Sequence, residues 1–183
     1  MIRWYVVGLL KQSKFPLLFL LAIHCGNYNP DQSGRGPTFR PEVDLVGNFY
    51  GRQIIYDRND SIVETATIDR TCELVDGPAI ACALQIRYER ENRNEELHRR
   101  YDLKYREAFD ATIQLHSERE DASGKIHGAA FHLKGEGKVP NSNERVTEEV
   151  RFIALSGGES LETILYSYWG MHAGKSVTFW RRQ

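Results

Sequence analysis

Neither sign of charge is in excess: 24 Lys and Arg stand against 25 Asp and Glu, a net charge of −1 over 183 residues. That balance gives no broad basic field to recruit nucleic acid and no acidic tail, so nucleic acid is not an expected partner. No apolar run approaches the roughly 20 residues that a membrane-crossing helix needs. Gly-x-Ser-x-Gly, His-Glu-x-x-His, Cys-x-x-Cys and the phosphate-binding glycine-rich loop are all absent. From these absences the sequence predicts no enzyme, no catalytic residues, no resident cofactor and no metal site. A sustained helical period is missing as well. What is present is aromatic and β-branched residue in short runs, with nine Tyr and eight Phe, a composition that favours strands.

The amino-terminal stretch reads as a signal peptide over residues 1–24. Lys11 and Lys14 precede the run Phe15 to Ile23, which has the length of a signal core rather than of a membrane span. The sequence Leu21-Ala22-Ile23-His24-Cys25-Gly26 resembles the lipobox of bacterial lipoproteins, with His24 as a departure from the small residues usual there. That resemblance implies acylation of Cys25 and an exported protein held to an envelope membrane, at the outer membrane or cell surface. Residues 25–44, rich in Pro, Gly, Asn and Ser, then form a tether, and residues 45–183 form one folded domain.

With Cys25 lipidated, Cys72 and Cys82 remain as an even pair in an oxidising compartment, the setting for a disulfide. Asp76-Gly77-Pro78 between them marks a turn. An antiparallel hairpin centred on Gly77 sets Cys72 opposite Cys82, Leu74 opposite Ile80 and Ile68 opposite Ile86. Two reduced, buried cysteines are the alternative.

From Leu45 onward, short runs of period-two alternation recur about every ten residues, separated by turn residues. The weakest run is Lys125 to Gly137, where Gly128, Ala129 and Ala130 suggest a bulge. The rhythm predicts an all-β domain of about eight to ten antiparallel strands. A closed up-and-down barrel removes the exposed edges that so many strands otherwise leave, and a two-sheet sandwich is the rival.

The ends of this domain are similar to those of the calycin superfamily, the lipocalin and fatty-acid-binding type of barrel. Gly47-Asn48-Phe49-Tyr50-Gly51 resembles the Gly-x-Trp opening of those families, with Phe in place of Trp. Phe179-Trp180-Arg181-Arg182 supplies the terminal basic residue. The resemblance implies a closure contact in which Arg181 or Arg182 packs over Phe49 or Tyr50, with Gly47 beside it; Arg181 is the expected partner of Phe49.

Inward positions on the predicted strands include Tyr88, Arg99, Tyr101 and Tyr105 among aliphatic residues. That mixture suits a lipid-like, amphipathic ligand: the guanidinium meets a carboxylate or phosphate, and the tyrosines supply apolar walls and hydroxyls. Two other readings stay open. A packed core with Arg99 at its rim makes the domain an interaction module that touches an envelope protein through its loops. The third takes His127, His132 and His172 as ligands for haem or a metal, although His127 and His132 fall on opposite faces of one predicted strand.

Overall fold

The computed structural model describes residues 39–107, 110–138 and 144–183. The leader, Cys25 and the tether up to residue 38 lie outside the described residues. Ten strands make up the domain: β1 (Gly47–Asp57), β2 (Ile62–Val75), β3 (Ala79–Tyr88), β4 (Arg93–Glu107), β5 (Asp110–Ser117), β6 (Asp121–His127), β7 (Ala130–Lys138), β8 (Arg145–Ala154), β9 (Glu159–Tyr168) and β10 (Met171–Arg182). Each pairs antiparallel with its chain neighbours, and β10 returns to β1 to close the barrel. Closure leaves no free edge, so the sandwich alternative falls away.

The strand alternation holds around the ring. Ile80, Cys82, Leu84, Ile86 and Tyr88 of β3 are buried, while Gln85 and Arg87 between them are exposed. The β2–β3 hairpin has the expected register, pairing Cys72 with Cys82, Leu74 with Ile80 and Ile68 with Ile86. The two sulfurs form a disulfide. Gly77, at φ 81°, takes the left-handed conformation at the tip.

The run from Lys125 to Gly137 departs from expectation. It is two strands, β6 and β7, joined by a tight turn at Gly128 and Ala129 that pairs His127 with Ala130. Gly128 supplies the positive φ of that turn. The small residues that suggest a bulge thus reverse the chain, and β6 begins at Asp121.

One end of the barrel is plugged by residues that precede β1. Phe39, 3% exposed, donates its backbone N–H to the carbonyl of Gly128 at 2.7 Å. Its ring stands edge-on to Phe131 and Phe152, whose own rings stack at 5.0 Å. A short helix, α1 (Pro41–Asp44), follows and leads into the buried Leu45. The segment 39–44, which its composition places in the tether, is therefore part of the folded unit.

The closure contact is made by Arg182, not Arg181. Alternation along β10 turns Trp180 inward and carries Arg182 with it, so Arg181 faces outward and pairs with Glu159. The Arg182 guanidinium lies 4.8 Å over the Phe49 ring and donates to the carbonyl of Val43 in α1. Gly47, at φ 119°, leaves room for it: a Cβ there would come within 2.9 Å of Arg182 Nη1.

Candidate functional site

The same alternation that buries the aliphatic residues places charged side chains inside the barrel. On β4, Leu97, Arg99, Tyr101 and Leu103 are all buried, so Arg99 lies in the interior. Its Nη1 donates to Glu162 Oε1 and its Nη2 to Glu120 Oε1, both at 2.8 Å. Glu162 belongs to β9, and its second oxygen accepts from Trp180 Nε1 at 3.0 Å. Glu120 lies in the β5–β6 connection, where its backbone N–H donates to Ser117 Oγ. Burial works against the charged form of Arg99, but Glu120 and Glu162 hold its pKa well above the guanidinium range. Burial also opposes the Glu162 carboxylate, yet Arg99, Arg70 and the bonds from Arg99 and Trp180 bring its pKa below the ordinary value.

A second arginine is more unusual. Arg70, on β2 between Ile68 and Cys72, is 1% exposed. Its guanidinium is sandwiched between the Phe49 ring at 4.3 Å and the Trp180 ring at 4.2 Å. None of its three nitrogens makes a hydrogen bond among the described residues. Burial lowers its pKa to about 10, with Tyr101 and Glu162 resisting that fall, so it is cationic at neutral pH. Cation–π contact offsets about 2 kcal/mol of desolvation, whereas burying an uncompensated ion costs several. A core built for stability alone gains nothing from such a residue.

Opposite in charge type is Glu148 of β8, set between the buried Val146 and Val150. Among the described residues neither of its oxygens has a hydrogen-bond partner, and Glu120 Oε2 likewise has none. Burial, followed by the carboxylate of Glu120, pushes the Glu148 pKa up to about 9, with Arg99 opposing. At neutral pH it therefore keeps its proton. Gly137 of β7 makes its space, since a Cβ there would sit 2.0 Å from Glu148 Oε2. Nearby on β9, the Tyr166 hydroxyl lies 3.3 Å from Ser176 Oγ.

The predicted ligand-contacting residues fare differently. Tyr88, Arg99 and Tyr101 are buried on the inner face. Tyr105 is not: at 56% exposed it has passed the plugged end of the barrel, where its hydroxyl meets Glu42 of α1 at 3.3 Å. Tyr88 serves a network at the opposite end, stacked under Arg93 at 4.1 Å with its hydroxyl 3.3 Å from Glu95. Arg99 is present as expected, but it already has two carboxylate partners. Arg99 leaves only its Nε unpaired among the described residues, whereas Arg70, absent from the predicted set, leaves its whole guanidinium unpaired. The alternation through Ile68 and Cys72 was the signal that could have found it.

His127, His132 and His172 face outward. His127 and His132 lie on β6 and β7 rather than on one strand, and His132 Nε2 is 2.7 Å from Glu149 on the outer surface. His172 is exposed near the start of β10. Among the described residues no group of three or more His, Cys, Asp and Glu is arranged to hold a metal ion.

No protein-family model and no curated protein matches the chain. Solved structures do match in fold. The S-type phycobiliprotein lyase CPES from Guillardia theta aligns over 76% of this chain and 89% of its own, with a TM-score of 0.59 and 12% identity. Rv2717c from M. tuberculosis aligns over 79% of this chain and 99% of its own, with a TM-score of 0.52 and 13% identity. Both are calycin-like ten-stranded antiparallel barrels. One correction follows: the prediction of no enzyme, drawn from missing linear motifs, is overturned by the likeness to a lyase. A barrel assembles its inner side chains from separate strands, so a site there leaves no contiguous motif. The likeness shows that this chain shares the fold of these two structures.

Proposed function

We propose that the barrel binds a small amphipathic molecule in its interior, with an anionic group of the ligand held by Arg70. The observation that carries this reading is the Arg70 guanidinium, buried, cationic and without an acceptor among the described residues. A carboxylate or phosphate accepts from two of its N–H groups at once, and the flanking Phe49 and Trp180 rings fix the plane in which it does so. Aliphatic inner residues such as Ile68, Leu84 and Leu97 suit the apolar part. The calycin-type fold is compatible with a small-molecule partner.

The test is displacement of the fluorescent anion 1-anilinonaphthalene-8-sulfonate by octanoate. The native barrel should bind both, and Arg70→Met should weaken octanoate at least tenfold while the fold is retained by circular dichroism. Equal octanoate affinity in the two proteins would remove Arg70 from the site.

The export reading belongs with this function. Lipid on Cys25 would hold the binding domain at an envelope membrane, next to a pool of amphipathic molecules. It is supported by the basic and apolar leader, by the lipobox-like Leu21 to Gly26, and by the Cys72–Cys82 disulfide, which suits an oxidising compartment. Cys25→Ala should move the protein from the membrane fraction to the soluble one. Retention at unchanged mass would rule the anchor out.

A further inference from the structure

The interior charges form an ordered row rather than a scatter. Arg99 grips Glu162 with one nitrogen and Glu120 with another, which settles the middle of the row. Arg70 stacks on the Trp180 ring, whose Nε1 donates to Glu162, and Glu148 stands four residues along β8 from Phe152, the residue opposite Glu162, with Glu120 the first charge acting on it. An unpaired cation thus ends the row on one side and an unpaired carboxyl group on the other. Among the described residues, three carboxylate oxygens at that second end make no hydrogen bond: both of Glu148 and Oε2 of Glu120.

We infer that the Glu148 and Glu120 end is a subsite for an ammonium group, so that the ligand is a zwitterion with its anion at Arg70 and its amine at Glu148. This rests on the anion-binding reading above and specifies the class of molecule. A primary ammonium carries three N–H donors and no acceptor, matching the three oxygens that make no hydrogen bond among the described residues. A divalent cation fits less well. Calcium takes six to eight oxygen ligands, whereas Glu120 Oε1 is committed to Arg99 and the Tyr166 hydroxyl to Ser176.

The groups facing Glu148 are Glu120 from the β5–β6 connection, Arg99 from β4, and Glu162 and Tyr166 from β9. Gly137 on β7 contributes no side chain, and its missing Cβ is what admits the carboxyl group. Burial and two neighbouring carboxylates keep a proton on Glu148 in the absence of a ligand. On binding, the ammonium takes the place of that proton, which leaves to solvent as one H⁺ per ligand bound. The ligand's own ammonium, with an ordinary pKa near 10.4, stays charged throughout.

Two probe series test this: 6-aminohexanoate, 8-aminooctanoate and 12-aminododecanoate against hexanoate, octanoate and dodecanoate, each titrated by calorimetry into the whole domain. At least one amino acid should bind better than its matched alkanoate. That affinity should rise about tenfold per pH unit between pH 6 and pH 8, with about one proton released, and the alkanoate should show neither effect. Glu148→Gln should collapse the ratio of the two affinities toward one, with circular dichroism confirming the fold. If that variant does not fold, the native pH slope and proton count decide the matter. Alkanoates that bind through Arg70 with no preference for the amino acids would overturn the ammonium subsite and leave the anion site standing. If neither series binds, both readings fall.

Discussion

Arg99 and Arg70 are both buried inside one barrel, yet Arg99 holds two carboxylates at 2.8 Å and Arg70 holds none. Opposite responses to the same substitution follow. Arg99→Met strands Glu120 and Glu162 without their partner and should destabilise the domain by about 3–5 kcal/mol. Arg70→Met removes a buried ion that has no hydrogen-bond partner among the described residues; the stacking on Phe49 and Trp180 and the attraction of Glu162 lost with it are offset by the recovered desolvation. Its stability should equal or exceed that of the native protein. Urea unfolding of the two variants checks the pair, and a large loss at Arg70 would mean that its charge is compensated in the folded protein.

The Cys72–Cys82 bridge joins directly opposed residues of β2 and β3. Its loop is short, so the constraint it places on the unfolded chain is modest. Replacing both cysteines with serine should cost about 2–3 kcal/mol. Thiol titration of the denatured domain before reduction should find neither Cys72 nor Cys82 reactive. Two free thiols would contradict the bridge.

Much of the fold was legible because a closed antiparallel meander writes itself locally. Each strand alternates, each hairpin carries its turn residues, and the β2–β3 register follows from Gly77 alone. The errors came where one local signal had two physical outcomes. Gly128 and Ala129 serve a bulge or a turn equally well, and only pairing with β8 separates β6 from β7. Composition made residues 39–44 look like a tether, because the ring–ring contacts of Phe39 with Phe131 and Phe152 span about a hundred residues of chain. The site was half legible. Parity reached Arg99 and Tyr101, but which buried charge is already paired depends on Glu120 and Glu162, brought in from distant elements. Tyr105 kept its parity and still left the interior, since alternation does not say where the barrel ends.

The plug supplies a prediction about the domain boundary. Phe39 is buried and packs against two other rings. Phe39→Ala should lower stability by about 3–5 kcal/mol, as expected for truncating a buried aromatic side chain. Thermal unfolding of the variant measures it. A change below about 1 kcal/mol would return residue 39 to the tether.

Glu148 gives the barrel a pH dependence whose sign is fixed by its raised pKa. In the unfolded chain its carboxyl group ionises near pH 4.5, and in the barrel near pH 9. Below pH 4.5 the group is protonated in both states. Between the two values the folded state binds the extra proton, so its contribution to stability is progressively lost as pH rises, by at most about 1.4 kcal/mol per pH unit. Glu148→Gln keeps the shape and stays neutral at every pH, so it should remove this component. The variant and the native protein should therefore unfold at similar urea concentrations near pH 4, with the variant increasingly the more stable toward pH 9. The difference between the two curves isolates Glu148 from the other carboxylates, whose titration the two proteins share. A gap that stays constant across this range, or one that closes as pH rises, would show that Glu148 is ionised inside the folded barrel.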